Sequence, residues 1–325
     1  MTRYQTLAAT TVLATLVLIA IGAVVRTTGS GLGCPDWPLC HGGLLPPFER
    51  IAIIEYTHRT AASIVGLLIV WVAVWTLRRY RHDPALAGLA VASLPLLAVQ
   101  AWLGKETVER ELPPEVVTLH LATGLVLFAV VALIAALAWL GPARRRLQDP
   151  DRERFLRVAT IGTAITFAVL IAGSYLVGEG AGPACSSWPG CTEAPTPFFD
   201  GERLQHVHWL HRATVVIGAL SVVAVAWSST WVERAGPTLR RGIGLLTALY
   251  AAQIIVGAAN IWTDHSAVVR SAHLALAAAI WALLVTTVVA ARFAPGPVEE
   301  AAPAPRTTPA SGGAPGATTG EGARV

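Results

Sequence analysis

Charge is scarce in this chain. Only 14% of its 325 residues are charged, against 54% hydrophobic, and the mean hydropathy is +0.57. A water-soluble domain carries about a quarter charged residues, so a soluble globular fold is excluded. Alternation at period two is also missing, and the apolar stretches are too long for barrel strands. Helices are then the way to satisfy the backbone in lipid. Cysteine is limited to four positions.

What is present is a series of eight apolar stretches near 5–25, 53–77, 86–103, 116–140, 157–178, 207–231, 242–261 and 269–292. Each is long enough to cross the roughly 30 Å of a bilayer's hydrocarbon core. The sequence therefore predicts an all-α integral membrane protein with eight transmembrane helices. The first stretch follows Arg3 and has some features of a signal peptide, but its length argues for a retained anchor. The net charge of +4 resides in short connectors, which argues against nucleic acid as a partner. Placing the N-terminus, the loops near 78–85, 141–156 and 232–241, and the C-terminal tail on one side collects twice as many basic residues there as on the other. By the positive-inside tendency both termini are cytoplasmic, in a multi-pass protein of the cell membrane.

Two tracts repeat each other around a histidine: Glu55-Tyr-Thr-His58-Arg-Thr-Ala-Ala and His208-Trp-Leu-His211-Arg-Ala-Thr-Val, at an offset of 153. The same offset carries Gln100 onto Gln253, Gly104 onto Gly257 and His120 onto His273. Four helices fit within it, an even number, so the halves share one orientation and form two tandem parallel-repeat four-helix bundles. Residues 1–141 make the first half, 142–156 a charged cytoplasmic connector and 157–292 the second half. The tail 293–325, rich in Ala, Pro, Gly and Thr, is expected to be disordered.

The two longest loops, about 26–52 and 179–206, each hold two cysteines with five residues between them: Cys34 and Cys40, Cys185 and Cys191. A Trp-Pro step recurs inside both. On an oxidising face such proximity reads as one local disulfide per loop. Four cysteines allow three connectivities, and free thiols or metal binding remain alternatives.

His58, His120, His211 and His273 each fall near the outward end of an even-numbered helix, where an ionisable side chain is costly unless it has a job. No cluster of carboxylates or thiols accompanies them, as a tetrahedral zinc or di-iron site would require. Two imidazoles suit the axial positions of a haem, whose porphyrin supplies the other four ligands. His58 with His120 and His211 with His273 are the natural pairs; pairing across the halves stays open. Arg59, Arg212 and Arg270 lie close to these histidines and are candidates for pairing with haem propionates, with snorkelling to the interface as the alternative. The repeat fails at one informative place. Glu55, one turn before His58, is replaced by His208 in the second half. A carboxylate beside a haem edge can move protons or stabilise a developing cation.

With Glu55-Tyr-Thr-His58-Arg59, His120 in Thr-Leu-His-Leu-Ala-Thr-Gly, His211-Arg212 and His273, the chain resembles the heme A synthase family across residues 1–292. The paired loop cysteines are similar to those of one bacterial subgroup. The resemblance implies oxidation of a methyl group of haem O to the formyl group of haem A, by successive hydroxylations and loss of water. It implies that His58 and His120 address the substrate haem O, that Glu55 assists the chemistry, and that His211 and His273 ligate a haem b that carries electrons. The implied partners are membrane lipid, haem O synthase and an electron acceptor or donor, and the sequence also allows a homo-oligomer. A dihaem cytochrome b linked to quinone and a haem transporter or assembly factor are the rivals. The Glu55 to His208 difference favours the enzyme.

Overall fold

The computed structural model describes residues 1–141, 143–147, 149–191, 202–232 and 237–294. All eight expected helices are found, each long and apolar enough to cross a membrane. They are α1 (Arg3–Thr27), α2 (Arg50–Arg79), α3 (Pro84–Glu109), α4 (Pro114–Leu140), α5 (Pro150–Gly178), α6 (Arg203–Ser228), α7 (Pro237–Trp262) and α8 (Ala267–Arg292). Large apolar side chains such as Leu67, Trp71, Ile161, Leu220 and Val223 stand exposed on helix faces. In a soluble monomer so much exposed apolar surface would drive association; here it is the lipid-facing side.

Local chemistry sets the helix ends. Thr2 caps α1 in a reciprocal capping box with Gln5, and Asp83 caps α3 ahead of Pro84. The connector expected over 142–156 is shorter than its charge suggested, because Asp149 and Pro150 start α5 seven residues before the apolar stretch at 157. Asp151 and Glu153 complement the helix dipole in that first turn. Arg152, although buried, donates to the Ala291 carbonyl at 2.9 Å. A two-residue antiparallel pairing, β1 (Arg145–Arg146) with β2 (Phe293–Ala294), ties the connector to the end of α8. The rest of the tail expected to be disordered, from residue 295 on, lies outside the described residues.

Each group of four helices closes into a ring. Helix α1 packs on α2 and α4, and α3 bridges α2 and α4; α5 through α8 repeat this pattern. The two rings meet through α1, α4, α5 and α8, leaving α2 and α3 on one flank and α6 and α7 on the other. The central seam is apolar and buried, built from Leu125 and Phe128 of α4, Leu170 of α5, and Ala278, Trp281 and Val285 of α8. The Trp281 indole N–H donates to the Leu125 carbonyl at 3.0 Å, which satisfies the one polar atom of a large anchor. Because consecutive helices alternate direction, the loops holding the cysteines and the short turns after α3 and α7 share one end of the bundle.

Candidate functional site

At that end His58, His120, His211 and His273 adopt one arrangement four times. Each imidazole lies against a glycine of the preceding odd-numbered helix. A Cβ built on the glycine would approach the ring Cε1 at 3.1 Å for Gly22 and His58, 3.3 Å for Gly104 and His120, 2.9 Å for Gly173 and His211, and 3.2 Å for Gly257 and His273. Every one of these glycines sits five residues before the last residue of its helix. With a rise of about 1.5 Å per residue, this fixes all four rings at closely similar depth. A methyl group would crowd the ring at all four seats, most at Gly173, where the ring would have to shift.

Within the first ring His120 is in electrostatic reach of His58, and within the second His211 is in reach of His273. The Nδ1 atoms of all four are buried without a hydrogen-bond partner. The Gln100 amide nitrogen lies 3.2 Å from His120 Nε2, and that of Gln253 lies 3.3 Å from His273 Nε2. An amide N–H donating there marks Nε2 as the unprotonated nitrogen of a neutral imidazole and occupies its lone pair, so a metal bound at that nitrogen would take the place of the amide. Among the described residues no group of three or more His, Cys, Asp or Glu is assembled to hold a metal ion. Two imidazoles per ring are therefore the donor set. This fits a prosthetic group that brings its own equatorial ligands, and does not fit a bare ion held by four side chains.

The loops are covalently closed and clamped down. Disulfides join Cys34 to Cys40 and Cys185 to Cys191. In the first ring Arg59 donates to the carbonyls of Cys34 at 2.7 Å, Asp36 at 2.6 Å and Leu39 at 2.8 Å, and to Glu55 Oε1 at 2.6 and 3.1 Å. Glu55 is buried, and its Oε2 accepts the Cys34 N–H at 2.9 Å. Asp36 accepts the N–H groups of His41 and Gly42. The Gly42 N–H above all, helped by that of His41, holds the Asp36 carboxyl below the usual carboxylate range. This turn is firm at neutral pH and loosens only as acid passes that lowered value.

The second ring reaches the same end with other chemistry. Arg212 donates to the carbonyls of Ser187, Pro189 and Gly190. His208 is buried, and its Nδ1–H donates to the Ala181 carbonyl at 3.0 Å. Glu55 and His208, the two unlike letters of the repeat, both tether their loop, one by accepting and the other by donating. Of the three arginines singled out for propionates, Arg59 and Arg212 thus hold loop carbonyls, although Arg212 Nη2 is buried with no partner. Arg270, at the start of α8, makes no side-chain hydrogen bond to another described residue and lies within electrostatic reach of Arg26 of α1.

The seats Gly22 and Gly173 went unnoticed in the sequence. They are related by 151 positions, as are the cysteines, and not by the 153 that relates the histidines. The prediction is direct. Gly173→Ala should displace the His211 ring and weaken whatever it holds by about 1–3 kcal/mol, the usual cost of overpacking. Gly88→Ala on α3, where a Cβ meets nothing within 4 Å, should be neutral. Haem content and thermal unfolding of the two purified variants make the comparison.

The fold and site define a membrane protein with eight described spanning helices, in which two half-buried imidazoles of each helix ring lie at the end closed by the disulfide loops. Over residues 5–285 the chain matches the model of the cytochrome oxidase assembly protein family (COX15-CtaA), and it belongs to that family. It is 30% identical to the heme A synthase of Symbiobacterium thermophilum over 276 residues, 83% of this chain and 89% of the relative. It is 33% identical to the heme A synthase of Shouchella clausii over 224 residues, 67% and 73% of the two chains. For the heme A synthase of Geobacillus thermodenitrificans the figures are 32% over 272 residues, 82% and 84%.

Proposed function

We propose that this protein is a membrane oxidoreductase that converts the methyl group of haem O into the formyl group of haem A. The name shared by its relatives supports this. The observation in the chain that carries it is the pairing of imidazoles within each ring, combined with a carboxylate beside one pair only, at Glu55. The conversion takes up one water and releases four electrons and four protons, so it requires both an electron acceptor and a route for protons.

The two rings are read as a tandem parallel repeat with unequal tasks. His58 and His120 hold the substrate haem O. Glu55, oriented by Arg59 and by the Cys34 N–H, stabilises positive charge developing at the reacting carbon and takes a proton from the attacking water. His211 and His273 ligate haem b, which supplies one-electron transfer when bound. His208, tied to the Ala181 carbonyl, serves the loop. Arg270, with its guanidinium uncommitted, and the open Nη2 of Arg212 answer the propionates, while Arg59 acts through the loop it holds. The disulfide end faces outward and both termini are cytoplasmic, in the cell membrane. Haem O arrives from haem O synthase, and the electrons leave to an acceptor carried by another molecule.

The test is to express the chain in a host that makes haem O and to chromatograph the total extracted haem. Haem A should appear, and Glu55→Ala should lower it about hundredfold or more, in the range of losing a positioned acid or base. Haem b absorbance should persist in that variant. Unchanged haem O beside a folded, haem-loaded protein would overturn the proposal in favour of a dihaem electron carrier or a haem-delivering protein.

A further inference from the structure

The end of the bundle opposite the disulfides holds a cavity of about 480 Å³ that the chemistry above does not use. Its walls come from four places: Arg79 at the end of α2, His82 and Asp83 before α3, Arg144 and Arg146 of the connector, and Phe293 after α8. The β1 and β2 pairing brings the last two together.

The charges inside are not equivalent. Arg144 grips both oxygens of Asp83, donates to the Gly141 carbonyl and lies 5.7 Å from the centre of the Phe293 ring, so it acts as a wall. The Arg144 guanidinium also holds the Asp83 carboxyl below the usual carboxylate range, which keeps this pair intact at neutral pH. His82 accepts a hydrogen bond from Arg81 at its Nε2. Arg79 is exposed and has no ion-pair partner among the described residues. Arg146 faces Glu153 at 3.5 Å, with both side chains substantially open to solvent. What remains is an excess of between one and two positive charges, which matches a phosphodiester carrying a single negative charge.

A second cavity of about 80 Å³ adjoins the first and shares Tyr80 with it. Leu86, Leu137, Ala138 and Gly141 line its inner part, with Thr2, Tyr4 and Gln5 on the side of α1. The Tyr80 ring is pinned against Tyr4 at 4.7 Å between centroids. A basic chamber next to a slot of mixed polar and apolar lining, at the level where transmembrane helices end, has the polarity of the upper part of one lipid molecule: phosphate outside, glycerol ester and first acyl carbons inside.

We propose that this double cavity is a binding site for the headgroup of an anionic phospholipid, with Arg79 and Arg146 taking the phosphate and the slot beside Tyr80 taking the start of an acyl chain. The site is independent of the haem chemistry. By bridging α2, α3, the connector and α8, a bound lipid would link the first ring to the end of the second.

Native mass spectrometry of the purified full chain tests this by titration with phosphatidylglycerol, phosphatidylcholine or inorganic phosphate. Phosphatidylglycerol should bind at least fivefold more tightly than phosphatidylcholine. At about a factor of five per arginine near an anionic headgroup, the Arg79→Gln, Arg146→Gln double variant should weaken it about 25-fold. Arg79→Gln alone should cost about fivefold, and keeps the test open should the double variant misfold. Arg78→Gln, outside the cavity, should change nothing. Equal binding of the two lipids overturns the proposal, as does a preference that survives both Arg79 variants. Displacement of phosphatidylglycerol by equimolar inorganic phosphate would also overturn it, since the acyl slot would then contribute nothing.

Discussion

Purified His211→Ala protein should lack the low-spin b-type haem spectrum, whereas His58→Ala should keep it and fail to yield haem A. Removing even the outer partner of a metal-binding imidazole costs 10–100-fold in affinity, so deleting the ligand itself should cost roughly 100-fold or more. The prediction rests on His120 lying within reach of His58 and His211 within reach of His273. Each imidazole is also seated on its own hairpin, against Gly22 or Gly173, so losing one should leave the other ring's pocket standing. Optical spectra of the reduced proteins, together with pyridine haemochrome counts, give the result. Loss of haem b in both variants to the same degree would mean that ligation crosses between the rings, and would sink the division of labour.

Arg59→Ala should be the most damaging single change outside His58, His120, His211 and His273. The guanidinium neutralises Glu55, which is 3% exposed, and it collects three loop carbonyls. Removing one partner of a buried ion pair leaves an uncompensated charge, at a cost of about 3–5 kcal/mol. Glu55→Gln in the Arg59→Ala background should restore part of that, since the stranded charge is then gone. Arg212→Ala should cost less, because its loop contacts are all carbonyls and it has no carboxylate to strand. Thermal unfolding in one detergent at constant pH ranks the four proteins. A loss under about 1 kcal/mol for Arg59→Ala, the range of an exposed ion pair, would show that Arg59 is not the clamp described.

Hydrophobicity made the helices legible because lipid leaves the backbone no other choice. The ends were less so: α5 begins at Pro150 because an Asp cap and a Pro outweigh the charge that made 150–156 look like connector. The histidines stood out because ionisable groups within apolar runs are few. Their seats did not, since glycine is common in this chain and Gly22 follows a different offset from Gly104. The arginines next to the histidines were visible as basic residues. That their guanidiniums close over loop carbonyls was not, because a carbonyl acceptor has no letter in the sequence. Glu55 and His208 stood out in the sequence as the difference that favours an enzyme. Only the loop contacts made clear that they share a tethering task.

The glycine seats bear on how such a protein can be built or rebuilt. An imidazole and the surface it rests on always come from two consecutive helices joined at the disulfide end. The smallest portable piece is therefore a hairpin, and a single span transplanted into a relative would leave its ring resting on an unfamiliar side chain. Four such hairpins in series, each complete with its own seat, let one imidazole be retuned without altering the surface on which another rests.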